Sequence, residues 1–166
     1  MTRSFPSISK VLSGSLLARK GYPTQDGMHA ADIAFTGVEV DADAAIGDPE
    51  NGLPLIERVV DDGRIALCAA AGGAMDESFK TTVEYLKTRT QFGVAIGTFQ
   101  TLQHRAADIF VAAEQARSMS MFATVACDFD DARGHATAVA AAKVQIGKSL
   151  KFVGLQSIQL HVTASA

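Results

Sequence analysis

The sequence predicts a mainly α fold in which three long antiparallel helices follow a short β segment. Three observations carry that prediction. After residue 52, apolar residues recur at steps of three and four along three separate stretches, the spacing that lines one face of an α-helix. Before it, turn formers crowd the chain, among them Pro6, Gly14, Gly21, Pro23, Gly27, Gly37, Gly47, Pro49 and Gly52. Between those turns, Ile33 and Phe35, then Val38 and Val40, alternate as one face of a strand does.

In chain order, the alternation places a β segment at 30–41, with Thr36-Gly37 as a bulge or bend. Lys20-Gly21-Tyr22 reads as part of a preceding strand, connected through Pro23 to Gly27. The first helical stripe is Leu67, Ala71, Met75, Phe79, Val83 and Leu86. The second is Phe99, Leu102, Ala106, Ile109, Ala113, Ala116, Ser120, Ala123 and Cys127, a helix from about 98 to 128 that would span about 46 Å. The third is Val139, Ala142, Ile146, Leu150, Val153, Ser157 and Leu160. Gly93-Val94-Ala95-Ile96-Gly97 and Asp130-Asp131 interrupt the pattern, so Thr98 and Asp130 or Asp131 are the expected N-caps of the second and third helices. Many stripe positions are alanine, which lets helix axes approach closely but buries little area per residue. Three such helices should leave an apolar face for a fourth helix or another protomer.

Composition narrows the function classes. The chain has 166 residues, 48% apolar and 20% charged, as a folded domain does. Fifteen basic against eighteen acidic residues give a net charge of −3, which offers no broad field to nucleic acid. No apolar run reaches the roughly 18 residues of a membrane span, and the first 21 residues lack the continuous apolar core of a signal peptide. Cys68 and Cys127 are too few and too far apart for a disulfide framework or a zinc site, so a reducing cytoplasm is the expected setting.

Nucleotide loops and hydrolase signatures are missing, and His29, His104, His135 and His161 are scattered without ligand spacing, so no metal site is expected. The informative stretch is Tyr85 to Gln100, which combines Arg89, Gln91 and Phe92 beside a glycine bend between two helices. A guanidinium pairs with phosphate, an aromatic face contacts a planar ring, and the N–H groups opening the next helix attract anions. The plain alternative is a helix–helix corner with a capping arginine.

The segment YLKTRTQFGVAIGTFQTLQHRAADIFVAAEQARS resembles the C-terminal helical domain of the flavin-dependent acyl-CoA dehydrogenases, and the resemblance continues through AAKVQIGKSLKFVGLQSIQLH. Upstream, GYPTQDGMHAADIAFTGVEVDADAAIG is similar to the last strands of that family's middle β-domain. The match covers roughly 17–161. It implies a partial form of the family's C-terminal four-helix bundle: residues 1–51 a remnant of the β-domain, with 1–16 poorly matched, and 52–166 an incomplete helical domain. It implies FAD as cofactor, with Arg89, Gln91 and Phe92 reaching the FAD of a neighbouring subunit and Gln100 and Gln159 as further flavin contacts. It also implies an acyl-CoA substrate, with Asp61 and Arg64 lining its channel. Read from spacing alone, that pair is an ordinary surface i,i+3 ion pair. A homo-oligomer, dimer or tetramer, is the implied partner.

The departures shape the expected function. The family's paired glycines are Val162 and Thr163 here, and its catalytic Glu, in a Tyr-Glu-Gly segment, is expected beyond the C-terminus. Some members carry the base on the first long helix, at the position of Gly63, which holds no carboxylate. No catalytic residue is therefore assigned within the chain. The expectation is a truncated acyl-CoA dehydrogenase, inactive alone in the α,β-dehydrogenation of acyl-CoA thioesters. The alternative is a non-catalytic helical oligomerisation or interaction module.

Overall fold

Three helices account for most of the chain, and each forms where small and apolar residues repeat at helical spacing. The computed structural model of the chain describes residues 16–37, 46–48, 50–128 and 131–162. Two units separate at Gly52: a β-hairpin in the first and a helical body in the second.

In the first unit, β1 (Leu16–Pro23) pairs antiparallel with β2 (His29–Thr36), from Leu16 opposite Thr36 to Pro23 opposite His29. The link is a tight turn: the Asp26 carboxylate accepts from the Thr24 hydroxyl and from the Met28 amide, and Gly27 takes the left-handed φ of 80° that closes it. The strand predicted at 30–41 is thus found from His29 to Thr36. Gly37, at φ 62°, bends away after it, while Val38 and Val40 lie outside the described residues.

The helical body contains α1 (Leu53–Thr88), a two-residue hairpin of β3 (Thr90–Gln91) and β4 (Val94–Ala95), α2 (Gln100–Val125) and α3 (Ala132–Val162). Contacts fix an up-down-up order. Arg58 donates to the Cys127 carbonyl, Arg117 Nη2 to Asp76 Oδ2 at 2.7 Å, and Phe79 packs on Phe110 at 5.5 Å, so α1 and α2 run antiparallel. Asp61 faces His135 and Tyr85 stacks on His161 at 4.3 Å, so α1 and α3 run parallel. The core is built from Met75, Ile109, Val139, Val153 and Leu160, with Ala113, Ala116, Ala123 and Ala142 as the small residues that let the helices close.

The predicted stripes need three corrections. Phe99, which opens the second stripe, is 39% exposed at the cap position of α2, ahead of the helix's first buried turn. Leu67 is 62% exposed, and Ile65 and Cys68 take the buried face of α1 instead. Leu150 is 40% exposed, with Ser149 buried beside it. At Leu67 and Leu150 the sequence offers two adjacent residues and the three-to-four step can run through either. Burial pushes the Cys68 thiol above its usual range, with Lys143 acting weakly in the opposite sense.

The caps divide likewise. Asp131 caps α3, its carboxylate accepting from Arg133 N at 3.0 Å and Gly134 N at 2.8 Å; Asp130 lies outside the described residues. Thr98 does not cap α2. It closes a 3₁₀ turn, Ile96–Thr98, by donating to the Ala95 carbonyl at 2.7 Å, and Phe99 occupies the cap position without a side-chain bond. Large apolar side chains stay exposed on the helices, among them Phe110, Val111, Met121 and Val125 on α2. Among the described residues, no helix is long and apolar enough to cross a membrane.

Candidate functional site

The corner between α1 and α2 is a β-hairpin, where helical periodicity predicts only a bend. Thr90 pairs with Ala95 and Gln91 with Val94, leaving Phe92-Gly93 as a two-residue loop. Phe92 has φ 54° and Gly93 φ 81°, the pair of left-handed residues that a type I′ turn requires. Glycine takes this conformation freely, whereas phenylalanine pays about 1–2 kcal/mol for it. The hairpin is clamped to the end of α1. Arg89 N donates to the Tyr85 carbonyl and Ile96 N to the Arg89 carbonyl, both at 2.9 Å, and Ile96 is 2% exposed. Gly97 sits so near Leu86 that a Cβ there would lie 2.9 Å from its carbonyl oxygen.

This clamp presents Phe92 at 92% exposure, with its ring edge-on to Phe99 at 6.3 Å, while Arg89 and Gln91 are half-buried below it. Gln100 is exposed at the first position of α2. Gln159 is exposed near the end of α3, whose His161 stacks on Tyr85 just before the hairpin. All five residues therefore lie toward one end of the helical body. Burial of the ring does not offset this strain, since Phe92 is 92% exposed. Phe92→Asn should accordingly raise the melting temperature by about 2–5 °C, because Asn relieves roughly 1 kcal/mol of backbone strain and the ring buries little. A fall in a thermal melt would instead make the ring part of the fold.

Asp61 and Arg64 form a second cluster. Twenty-four steps of helix at 1.5 Å each set Arg64 about 36 Å along α1 from Thr88, the residue before Arg89. The pair is not the ordinary surface ion pair that spacing suggests. Asp61 is 5% exposed and accepts from Arg64 Nη1 at 2.6 Å, with the Arg64 side chain half-exposed. Ile56, Glu57, Val60, Asp61, Arg64 and Ala136 line a pocket of about 270 Å³ there.

Sequence reasoning missed His135, which is 3% exposed and faces Asp61 at 3.7 Å. A signal was available, since His135, Val139, Ala142 and Ile146 continue one stripe at steps of four, three and four. Among the described residues, no group of three or more His, Cys, Asp or Glu side chains could hold a metal ion.

The fold agrees with the comparisons. Residues 50–166 match the family model described as acyl-CoA dehydrogenase, C-terminal domain, and the chain belongs to the acyl-CoA dehydrogenase family. It is 31% identical over 135 residues to the probable acyl-CoA dehydrogenase YngJ of Bacillus subtilis, covering 81% of this chain and 35% of that one. Over 103 residues it is 38% identical to the acyl-CoA dehydrogenase IpdE2 of Mycobacterium tuberculosis, covering 62% and 30%. The solved structure of PigA with FAD and proline superposes with a TM-score of 0.76 at 27% identity, covering 90% of this chain and 39% of that one. The chain spans about a third of the length of the curated relatives it matches.

Proposed function

We propose that the chain is the helical part of an FAD-dependent acyl-CoA dehydrogenase, and that its two clusters serve different ligands. Arg89, Gln91, Phe92, Gln100 and Gln159 hold the FAD of a neighbouring subunit, and Asp61 and Arg64 line the acyl-CoA channel. The observation that carries this reading is Phe92, exposed and strained on a hairpin clamped to the end of α1, an end that lies about 36 Å along the helix from Arg64, too far for one small-molecule site. The donor set fits the cofactor: a guanidinium for its phosphates, carboxamides for its polar ring edge and an aromatic face for a planar ring. Bound FAD supplies the acceptor for the hydride that leaves the acyl chain. This chain contributes positioning. Arg89 binds and orients an anion, Phe92 excludes water from a ring face, and Arg64, anchored by Asp61, orients the thioester ligand.

The 166 residues alone do not turn over acyl-CoA. Gly63 carries no carboxylate, and Asp61 is engaged by Arg64 as an orienting anion rather than a proton acceptor. Residues 1–51 are read as a remnant of the middle β-domain, and a homo-oligomer covers the exposed apolar residues of α2. Cys68 and Cys127, both free thiols, suit a reducing cytoplasm.

Photolabelling with 8-azido-FAD tests the cofactor assignment. Label is expected in the peptide spanning 89–100 and is expected to fall with Arg89→Ala; label scattered along the helices would refute it. Butyryl-CoA added to the flavin-loaded chain should leave the flavin band unbleached, and bleaching would refute inactivity. A defined oligomer that takes no label at the hairpin would favour the alternative of a non-catalytic interaction module, for which the apolar pocket of about 690 Å³ along Phe110, Val111 and Met119 is the supporting observation.

A further inference from the structure

The 3₁₀ turn Ile96–Thr98 joins the β3–β4 hairpin to α2, and it is held from both sides. On the α1 side, Gly97 lies so close to Leu86 that a Cβ would stand 2.9 Å from the Leu86 carbonyl oxygen. On the α2 side, Gln103 reaches back six residues and donates from Nε2 to the Gly97 carbonyl at 2.8 Å. A carbonyl oxygen can only accept, so the carboxamide presents its nitrogen there. Phe99, in the cap position of α2, makes no side-chain cap bond. The first turn of α2 is therefore tied down in the reverse sense: a side chain from inside the helix donates to a carbonyl ahead of it.

This bond contributes little to folding. Gln103 is exposed, water can serve the Gly97 carbonyl in its place, and ordering a glutamine side chain offsets much of what the bond returns. Its consequence is one of direction. Phe92 stands on the hairpin loop and Phe99 at the start of α2, and their rings meet at 6.3 Å and 81° across the turn that Gln103 holds. The same turn is coupled to the start of the hairpin, because Ile96 N donates to the Arg89 carbonyl at 2.9 Å. We propose that Gln103 is a positioning residue for the ligand of the hairpin. It fixes the angle between the hairpin and α2, and so keeps Phe92 edge-on to Phe99 with its faces open to a planar ring. This rests on the reading that the hairpin binds FAD.

Two variants of nearly unchanged shape remove the bond. Gln103→Met keeps the length and loses the donor, and Gln103→Glu sets a carboxylate against the carbonyl. In the ligand-free chain with labelled phenylalanines, nuclear Overhauser effects between the Phe92 and Phe99 rings are expected in the wild type. They should weaken severalfold in both variants, while the melting temperature moves by less than about 3 °C. Unchanged ring contacts would overturn the proposal, as would a larger fall in melting temperature, which would make Gln103 part of the fold. In the wild type, the two Gln103 carboxamide protons should be widely separated in chemical shift. A separation no greater than that of free glutamine would overturn the proposal even if every variant failed to fold. Titration with FAD, followed by quenching of its fluorescence, adds the ligand. Binding should weaken about fivefold in Gln103→Met, the factor that one neutral hydrogen bond carries; equal affinity would overturn the proposal. No binding by the wild type overturns the cofactor reading and leaves the ring contacts to decide whether Gln103 sets the corner.

Discussion

Ile109→Ala is expected to destabilise the helical body by about 2–5 kcal/mol, lowering its melting temperature by about 10–20 °C in a circular-dichroism melt. Ile109 is fully buried, and the other buried positions of α2 are Ala113, Ala116 and Ala123. No neighbour on the same helix face is long enough to fill the space its side chain would vacate, so the cavity persists and its cost adds to the lost transfer energy. The paired control is Leu67→Ala, where a 62% exposed side chain should change stability by less than about 0.5 kcal/mol. A Leu67 effect as large as the Ile109 effect would reverse the assignment of the buried face of α1.

Arg64→Ala should be the most costly single change in the second cluster, by about 1–3 kcal/mol. It removes the partner of a carboxylate that is 5% exposed and leaves that charge stranded. Asp61→Asn should cost less, about 0.5–1 kcal/mol, because the charge it strands belongs to a half-exposed arginine that water can reach. The decisive measurement is the double variant. Asp61→Asn in the Arg64→Ala background removes the stranded charge and should recover part of the lost stability in denaturant titrations. Additive losses would mean that the two groups do not act as a pair.

Much of the fold was legible in the sequence because helices advertise themselves by period. The stripe through Ile109, Ala113, Ala116 and Ala123 fell where α2 buries its residues, and Asp131 capped α3 as its position before the stripe suggested. The errors sit where period has no purchase. Leu67 and Cys68 are adjacent and both apolar, so spacing alone could not choose the inward one. The β3–β4 hairpin is too short to show alternation, and the signal that does mark it, a glycine after Phe92, specifies a turn and not the strands around it. That hairpin displaced the helix start from Thr98 to Phe99.

The candidate site was legible in its residues and opaque in its geometry. Spacing put Asp61 and Arg64 on one helix face and no more. Their burial depends on α3, which brings His135 against Asp61 from seventy-four positions away, and a pattern read along one helix carries no information about what packs against it. Phe92 was notable from sequence as an aromatic beside a glycine, but its positive φ is a property of the closed turn.

The up-down-up path of α1, α2 and α3 has a kinetic consequence. Each helix packs against the one that follows it, so two of the three helix pairings need only a short stretch of chain to close, and the entropy lost on closing such stretches is small. Topologies dominated by neighbouring pairings reach the native state in about microseconds to milliseconds. The pairing of α1 with α3 is the one that spans a whole intervening helix, and it brings in the Asp61–His135 contact. During synthesis α1 and α2 can zip together as soon as both have emerged, with α3 docking onto that pair afterwards.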